Sequence, residues 1–184
     1  MKIFFTASPR ALRLERYTQY LNNIYTYLSK CGEHTSNLAI KNDPDEFYNY
    51  SPEEIDQHYK DTIYNLKRAD IIVVEVTMHS MAMGYLVNKG LELNKPTLCL
   101  YTDKKPPFFL SGVNDQNLLV LEYSEESLDN VIDDAIDYFS GRHDKRFNLM
   151  IGPEMLNYLN EKSKKVKKPK SVYIRDLIRK DMKN

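Results

Sequence analysis

The sequence predicts an α/β protein, an open and mainly parallel sheet flanked by helices, followed by a small C-terminal β-α-α unit. Three observations carry this. Along residues 1–141, short apolar runs alternate with longer stretches whose apolar positions recur at helical spacing, the order expected of strands joined by crossover helices. The run Ile71-Ile72-Val73-Val74 is β-branched and without alternation, as suits an interior strand covered on both faces. Charge also divides: Lys and Arg number 13 against 21 Asp and Glu in residues 1–141, but 13 against 5 in residues 142–184. A body of net charge −8 therefore precedes a tail of +8, and the domains are expected at 1–141 and 142–184.

Lys2 to Thr6 reads as the first strand, with Ala7-Ser8-Pro9-Arg10 as its strand-to-helix turn. Leu14, Tyr17, Leu21, Ile24, Tyr25 and Leu28 fall at helical intervals, predicting a helix over 12–30 closed by Gly32. A short second strand is expected over 34–40, then a polar loop over 42–50 that serves either as a lid or as plain surface. Ser51-Pro52-Glu53-Glu54 is a capping box with proline at the first helical position, so a helix runs from there through Ile55, Tyr59, Ile63 and Leu66 to Arg68. The central strand continues to Thr77, breaks at Met78-His79-Ser80, and leads into a helix carrying Met81, Leu86 and Leu93. Thr97 to Tyr101 and Asn117 to Tyr123 are further strands, and Ser124 caps a last helix through Leu128, Ile132 and Phe139 to Gly141. Ligands of open α/β sheets bind outside the carboxyl ends of strands, which makes the Met78-His79-Ser80 junction the first place to look for chemistry.

At 184 residues with 42% apolar content, the chain can bury a real core. It has no apolar run near ~18 residues, and MKIFFTASPR lacks the plan of a signal peptide. A soluble, cytoplasmic protein with no membrane partner is expected. Cys31 and Cys99 lie far apart with no paired spacing, so neither a disulfide nor a metal site is expected, and no cofactor.

The stretch EVTMHSMAMGYLVNKG resembles the signature of nucleoside 2-deoxyribosyltransferases and 2'-deoxynucleoside 5'-phosphate N-hydrolases, roughly E-V-T-x-P-S-x-G-x-G-Y-E-L-G-x-A. Glu75, Val76, Thr77, Ser80, Gly84 and Tyr85 match it. The resemblance covers about residues 1–140 and implies a flavodoxin-like, deoxyribosyltransferase-like sheet. It also implies a nucleoside or deoxynucleotide ligand held by Ser8, Arg10, Ser80, Gly84 and Tyr85, with Ser111 lent by a partner subunit. In that family the catalytic carboxylate follows the Gly-Tyr pair, and here Leu86 stands there. A second family carboxylate, eight residues before the aspartate that opens the central strand, falls on Thr62. Asp61 is one residue off, a rotation of ~100° on a helix. The expectation is a nucleotide-binding domain whose N-glycosidase activity is weak or lost. The alternative is an active N-glycosidase or transferase with a relocated carboxylate, Asp61, Glu75 or a residue of the 42–50 loop.

After the charged linker RHDKR, Arg146, Asn148 and Met150 alternate with Phe147, Leu149 and Ile151, predicting a short strand. Helices follow from Pro153 to about Val166 and from Ser171 to about Met182. This tail is similar to ribbon-helix-helix DNA-binding domains of the Arc repressor type. About 40 residues cannot bury such faces alone, so the resemblance implies a homodimer or higher even oligomer with strands paired. It places Arg146, Asn148 and Met150 toward the major groove of double-stranded DNA, with Lys168, Lys170 and Ser171 on phosphates. The whole would then be a ligand-responsive DNA-binding regulator. A simple dimerisation arm, or an antitoxin-like or scaffold protein, stays open beside it.

Overall fold

In the computed structural model, which describes residues 1–36, 45–104, 106–141, 151–166 and 170–182, the apolar runs of the first three quarters of the chain pair into one parallel sheet. Its strands are β1 (Lys2–Ala7), β2 (Glu33–His34), β3 (Ile71–Glu75), β4 (Thr97–Tyr101) and β5 (Leu118–Glu122), in the order β2-β1-β3-β4-β5. The registers run Ile3 to Ile71, Ile72 to Thr97 and Thr97 to Leu118. The connection reverses direction between β1 and β3, so the crevice of this doubly wound sheet opens at their carboxyl ends.

Period-two alternation sorts the strand side chains onto two helical layers. Ile3, Phe5, Ile71, Val73, Leu98 and Leu100 pack against α1 (Glu15–Cys31) and α4 (Leu128–Phe139), chiefly through Leu21, Ile24, Leu28, Ile132 and Ala135. Phe4, Ile72, Val74 and Cys99 pack against α2 (Pro52–Arg68) and α3 (Met81–Glu92), through Ile63, Leu66, Met83, Leu86 and Val87. Ile71, Ile72, Val73 and Val74 are all buried, each contributing roughly 1.5–3 kcal/mol by leaving water. The absence of alternation that marked β3 as interior thus has its cause in two covered faces. At Gly90 of α3 a Cβ would sit 2.6 Å from Ile72 Cδ1 and 2.8 Å from Thr97 Oγ1, so the helix lies as close to the sheet as it does only because no side chain intervenes.

Local rules explain most boundaries. The Ser51 cap closes as expected, with Glu54 N–H donating to Ser51 Oγ at 3.3 Å and Ser51 N–H donating to Glu54 Oε2 at 2.8 Å. The helix expected over 12–30 is interrupted. Pro9–Arg13 forms a 3-10 turn with Ala11 fully buried, Leu14 is extended, and the α-helix begins only at Glu15. The cap expected at Ser124 forms, with Ser127 N–H donating to Ser124 Oγ, Ser124 N–H to Ser127 Oγ and Leu128 N–H to the Ser124 carbonyl, and the regular helix begins at Leu128. The second strand is two residues long among those described, and residues 37–44 of the expected strand and loop lie outside them.

The chain divides into two units, Met1–Asp144 and Lys145–Asn184. In the second, α5 (Pro153–Lys165) starts on Gly152 with proline at its first position, and α6 spans Lys170–Asp181. None of its described residues is buried, and Met155, Leu156, Tyr158, Leu177 and Ile178 are exposed. Arg146, Asn148, Met150 and Lys168, with nearly all of the expected strand, lie outside the described residues. Lys170 donates to Asn160 Oδ1 at 2.8 Å, and Ser171 lies within α6. No described helix is long and apolar enough to cross a membrane.

Candidate functional site

Where β1 and β3 diverge, a cavity of about 590 Å³ opens on the α2/α3 side of the sheet, a volume suited to a small organic ligand. Three pieces of chain build it, each placed there by its own local rule. Strand β1 ends in Thr6 and Ala7, Ser8 follows as the cap of the next turn, and that 3-10 turn, seeded by Pro9, brings Arg10 to the wall. The capped start of α2 contributes Ile55, His58, Tyr59 and Thr62, a stripe at helical spacing. The first turns of α3 contribute Ser80, Met81, Ala82, Met83, Tyr85 and Leu86, and Tyr48 comes from the 3-10 turn Glu46–Asn49.

One part of the lining suits an anion. Ser8 is almost wholly buried, and its Oγ has no hydrogen-bond partner among the described residues. Arg10 donates from Nη2 to the His79 carbonyl at 2.9 Å, tying the turn after β1 to the turn after β3. A guanidinium has five N–H donors, so capacity for an acceptor remains. Ser80 is the N-cap of α3 without a side-chain cap bond, and Met81, Ala82 and Met83 belong to the helix's first turn. Amides there lack intrahelical acceptors and sit at the positive end of the helix dipole.

The α2 wall is aromatic and hydroxylated. Tyr48, Tyr59 and Tyr85 are exposed at the mouth, and the Tyr59 and Tyr85 hydroxyls lie 2.9 Å apart, bridging α2 to α3. Deeper in, Thr62 Oγ1 is buried without a partner among the described residues. Buried hydroxyls normally find one, so two orphans in a single cavity mark it as shaped for a ligand that supplies the partners.

No Asp or Glu is among the described residues that line this cavity. Leu86 stands in its wall, 7% exposed and packed with Met83 and Val87. Asp61 is exposed on α2, accepts from Gln57 Nε2 at 2.8 Å, and is outside the lining, which holds its neighbour Thr62 instead. The one-residue offset has the effect that helical geometry requires. Glu75 points to the other face of the sheet, by the parity of β3, and is buried there beside Thr77. Burial pushes its carboxyl up to about 7, against the Thr77 donors that favour the charged form.

The remaining expected residues divide. Ser8, Arg10, Ser80 and Tyr85 meet in the cavity. Gly84 lines a smaller adjoining hollow of about 310 Å³ together with Pro107, Phe109 and Leu110. Ser111 is exposed, donates to the Pro107 carbonyl at 3.1 Å, and lines neither. His58, Tyr48 and Tyr59 were not marked out by any motif. The signal for Tyr59 lay in α2: with Ile55 it continues the apolar stripe of Ile63 and Leu66 but is half exposed, because the stripe leaves the core and enters the cavity. Among the described residues no group of three or more His, Cys, Asp or Glu is arranged to hold a metal ion.

No family model matches the chain. A 5-hydroxymethyl-dUMP N-hydrolase of Branchiostoma floridae is 30% identical over 91 residues, 47% of this chain and 86% of that protein. Proteins of the same name from Tetraodon nigroviridis and Mus musculus are each 24% identical, over 148 and 138 residues. These cover 77% and 71% of this chain, and 99% and 76% of the two relatives.

Proposed function

The chain belongs to the family of the 5-hydroxymethyl-dUMP N-hydrolases, and on that premise we propose that its N-terminal unit binds a 2'-deoxynucleoside 5'-monophosphate and cleaves it weakly or not at all. The observation that carries this reading is Leu86 in the cavity wall, with no carboxylate among the described lining residues. The 5'-phosphate sits against Arg10, Ser8 and the first turn of α3, where donors and dipole favour negative charge. The base lies toward Tyr48 and Tyr59, since aromatic faces stack on any base. Thr62 and Ser80 are left for the sugar and its 3'-hydroxyl.

Cleavage of an N-glycosidic bond in this family needs a carboxylate that attacks the anomeric carbon, with a proton supplied to the leaving base, and an aliphatic side chain supplies neither an electron pair nor a proton. Titration calorimetry with dUMP, dGMP and dAMP, run beside an assay for released base, tests both halves. Saturable binding with little or no base is expected, and Arg10→Ala should weaken binding roughly ten- to a hundred-fold while Arg10→Lys loses less. Absence of binding to all three would remove the nucleotide reading, and rapid release of base would remove the claim of lost catalysis.

A second reading concerns the tail, and the burial pattern of its helices favours it. A unit whose described residues are all partly or wholly exposed, with Met155, Leu156, Leu177 and Ile178 on its surface, needs a second apolar face. We infer a ribbon-helix-helix dimer of two copies that binds double-stranded DNA, so that the nucleotide acts as an effector. Affinity of the full chain for a duplex should then fall steeply with salt, and Lys170→Ala should lower the slope of log K against log salt by about one. A chain that stays monomeric, or ignores DNA at low salt, contradicts it.

A further inference from the structure

Two 3-10 turns from different parts of the chain are joined beside the cavity by an ion pair. Arg13 closes the turn Pro9–Arg13, whose Arg10 is in the cavity wall, and Arg13 Nη2 donates to Asp45 Oδ1. Asp45 heads the second turn, Glu46–Asn49, and its carbonyl accepts from Tyr48 N–H at 3.3 Å and from Asn49 Nδ2 at 3.2 Å. The far end of the same segment is fixed on α2, where the Tyr50 ring stands edge-on to His58 at 5.9 Å and Ser51 caps the helix. Residues 45–50 are therefore a short strap with an anchor at each end.

The strap carries Tyr48, which lines the cavity and yet is 79% exposed. A ring so placed meets the cavity on one side and water on the rest, and a ligand beside it would cover an aromatic surface that is now wet. At the same mouth α2 and α3 are already joined through the Tyr59 and Tyr85 hydroxyls. Both members of the Arg13–Asp45 pair are half exposed or more, and an exposed pair shifts an equilibrium by roughly two- to five-fold. A strap seated on α2 and tied at its front by such a pair can tilt toward a ligand and away from it, the motion by which short covers gate entry and release.

We propose that Arg13 and Asp45 form a clasp that holds the 45–50 strap at the cavity mouth, and that Tyr48 is the cover, closing on the bound nucleotide and slowing its release. The assignment rests on the nucleotide reading above and adds to it the step that sets how long the ligand stays. Arg13 and Asp45 are positioning residues, acting through Tyr48. Their opposite charges permit a test of sign. If the two acted only through their fields on an anionic ligand, removing the cation would speed release and removing the anion would slow it. In a clasp, removing either one speeds release.

The chain has no tryptophan, so Tyr48→Trp places one reporter on the strap. Saturating this variant with dUMP or dGMP, with occupancy fixed by calorimetry, should lower acrylamide quenching of the indole about two-fold or more. Release is timed by stopped-flow chase of a fluorescent 2-aminopurine 2'-deoxynucleoside 5'-monophosphate from the full chain. Arg13→Ala and Asp45→Ala should each speed it roughly two- to five-fold, and the charge-swapped Arg13→Asp/Asp45→Arg chain should recover most of the wild-type rate. In a Tyr48→Ala background, which should itself release faster, the two alanine substitutions should have no further effect. Opposite signs for Arg13→Ala and Asp45→Ala would show plain electrostatics and overturn the clasp, as would equal effects with and without the Tyr48 ring. An indole quenched equally with and without bound nucleotide would overturn the cover. Those outcomes leave nucleotide binding standing, whereas a wild type that binds none of the three nucleotides removes the nucleotide reading and this inference together.

Discussion

Leu86→Glu is expected to release nucleobase from 2'-deoxynucleoside 5'-monophosphates at a rate at least about a hundred-fold above the wild type. The position is already in the cavity wall, one residue after Tyr85 in the first turns of α3. A carboxylate there can form a bond to the anomeric carbon as the glycosidic C–N bond breaks, the base leaving with the electron pair and taking a proton. Water then attacks the same carbon, loses its proton, and frees 2-deoxyribose 5-phosphate and the carboxylate. The substitution has a cost, since Leu86 is 7% exposed and belongs to the α2/α3 core. A buried carboxyl has a raised pKa, and part of the new side chain is protonated at neutral pH, so the gain should grow from pH 6 to pH 8. Leu86→Gln has the same shape and no nucleophile, and it separates a chemical gain from a loosened pocket. The proposal of lost catalysis fails if the wild type already matches Leu86→Glu, and the nucleophile argument fails if Leu86→Gln does as well.

The same residue shows what the sequence could and could not reveal. Strands β1, β3, β4 and β5 announced themselves by apolar runs, because a strand covered on both faces must be apolar throughout, and their parallel order follows from the intervening helices. The capping box of α2 was equally legible, since its two hydrogen bonds are local. The break at Leu14 was not. Leu14 and Tyr17 keep helical spacing across it, so the apolar pattern does not mark the 3-10 turn that starts at Pro9 and buries Ala11. Of the candidate site, four residues that the motifs singled out, Ser8, Arg10, Ser80 and Tyr85, line one cavity. Tyr59 was hidden because a stripe that turns from core to cavity keeps its spacing and changes only its exposure. Counting along α2 singled out Thr62 and Asp61 together, and the helix's rotation puts Thr62 into the cavity and Asp61 outside it.

Glu75→Gln is expected to flatten the pH dependence of stability between about pH 4.5 and pH 8. Glu75 is 1% exposed on the α1/α4 face of β3, where Oε1 accepts from the Thr77 N–H at 3.2 Å and from the Thr77 hydroxyl. That hydroxyl in turn accepts from Thr102 N–H at 2.9 Å, joining the ends of β3 and β4. Oε2 and the Tyr123 hydroxyl are buried with no partner among the described residues, yet each acts on the other's proton. Burial, and after it the charge of Glu75, pushes the Tyr123 hydroxyl up, so the phenol stays protonated throughout. Tyr17, which donates to Asp103 at 2.8 Å, and Arg16, paired with Asp103 at 2.7 Å, complete the surrounding charges. With the folded pKa raised from 4.5 to about 7, the fold prefers the neutral acid. The contribution is therefore full below pH 4.5, where both states are protonated, and is lost as pH rises through 7, where the folded protein must hold an anion. At 1.36 kcal/mol per pKa unit the loss is on the order of 3 kcal/mol. The amide that replaces the carboxyl in Glu75→Gln presents the same shape, an oxygen to Thr77 and an N–H toward Tyr123, without the titration. Denaturant unfolding of both proteins at pH 5 and pH 8 measures the difference. A difference in stability that stays constant between the two pH values would mean that Glu75 is ionised in the fold and that Tyr123 or a buried water satisfies the charge.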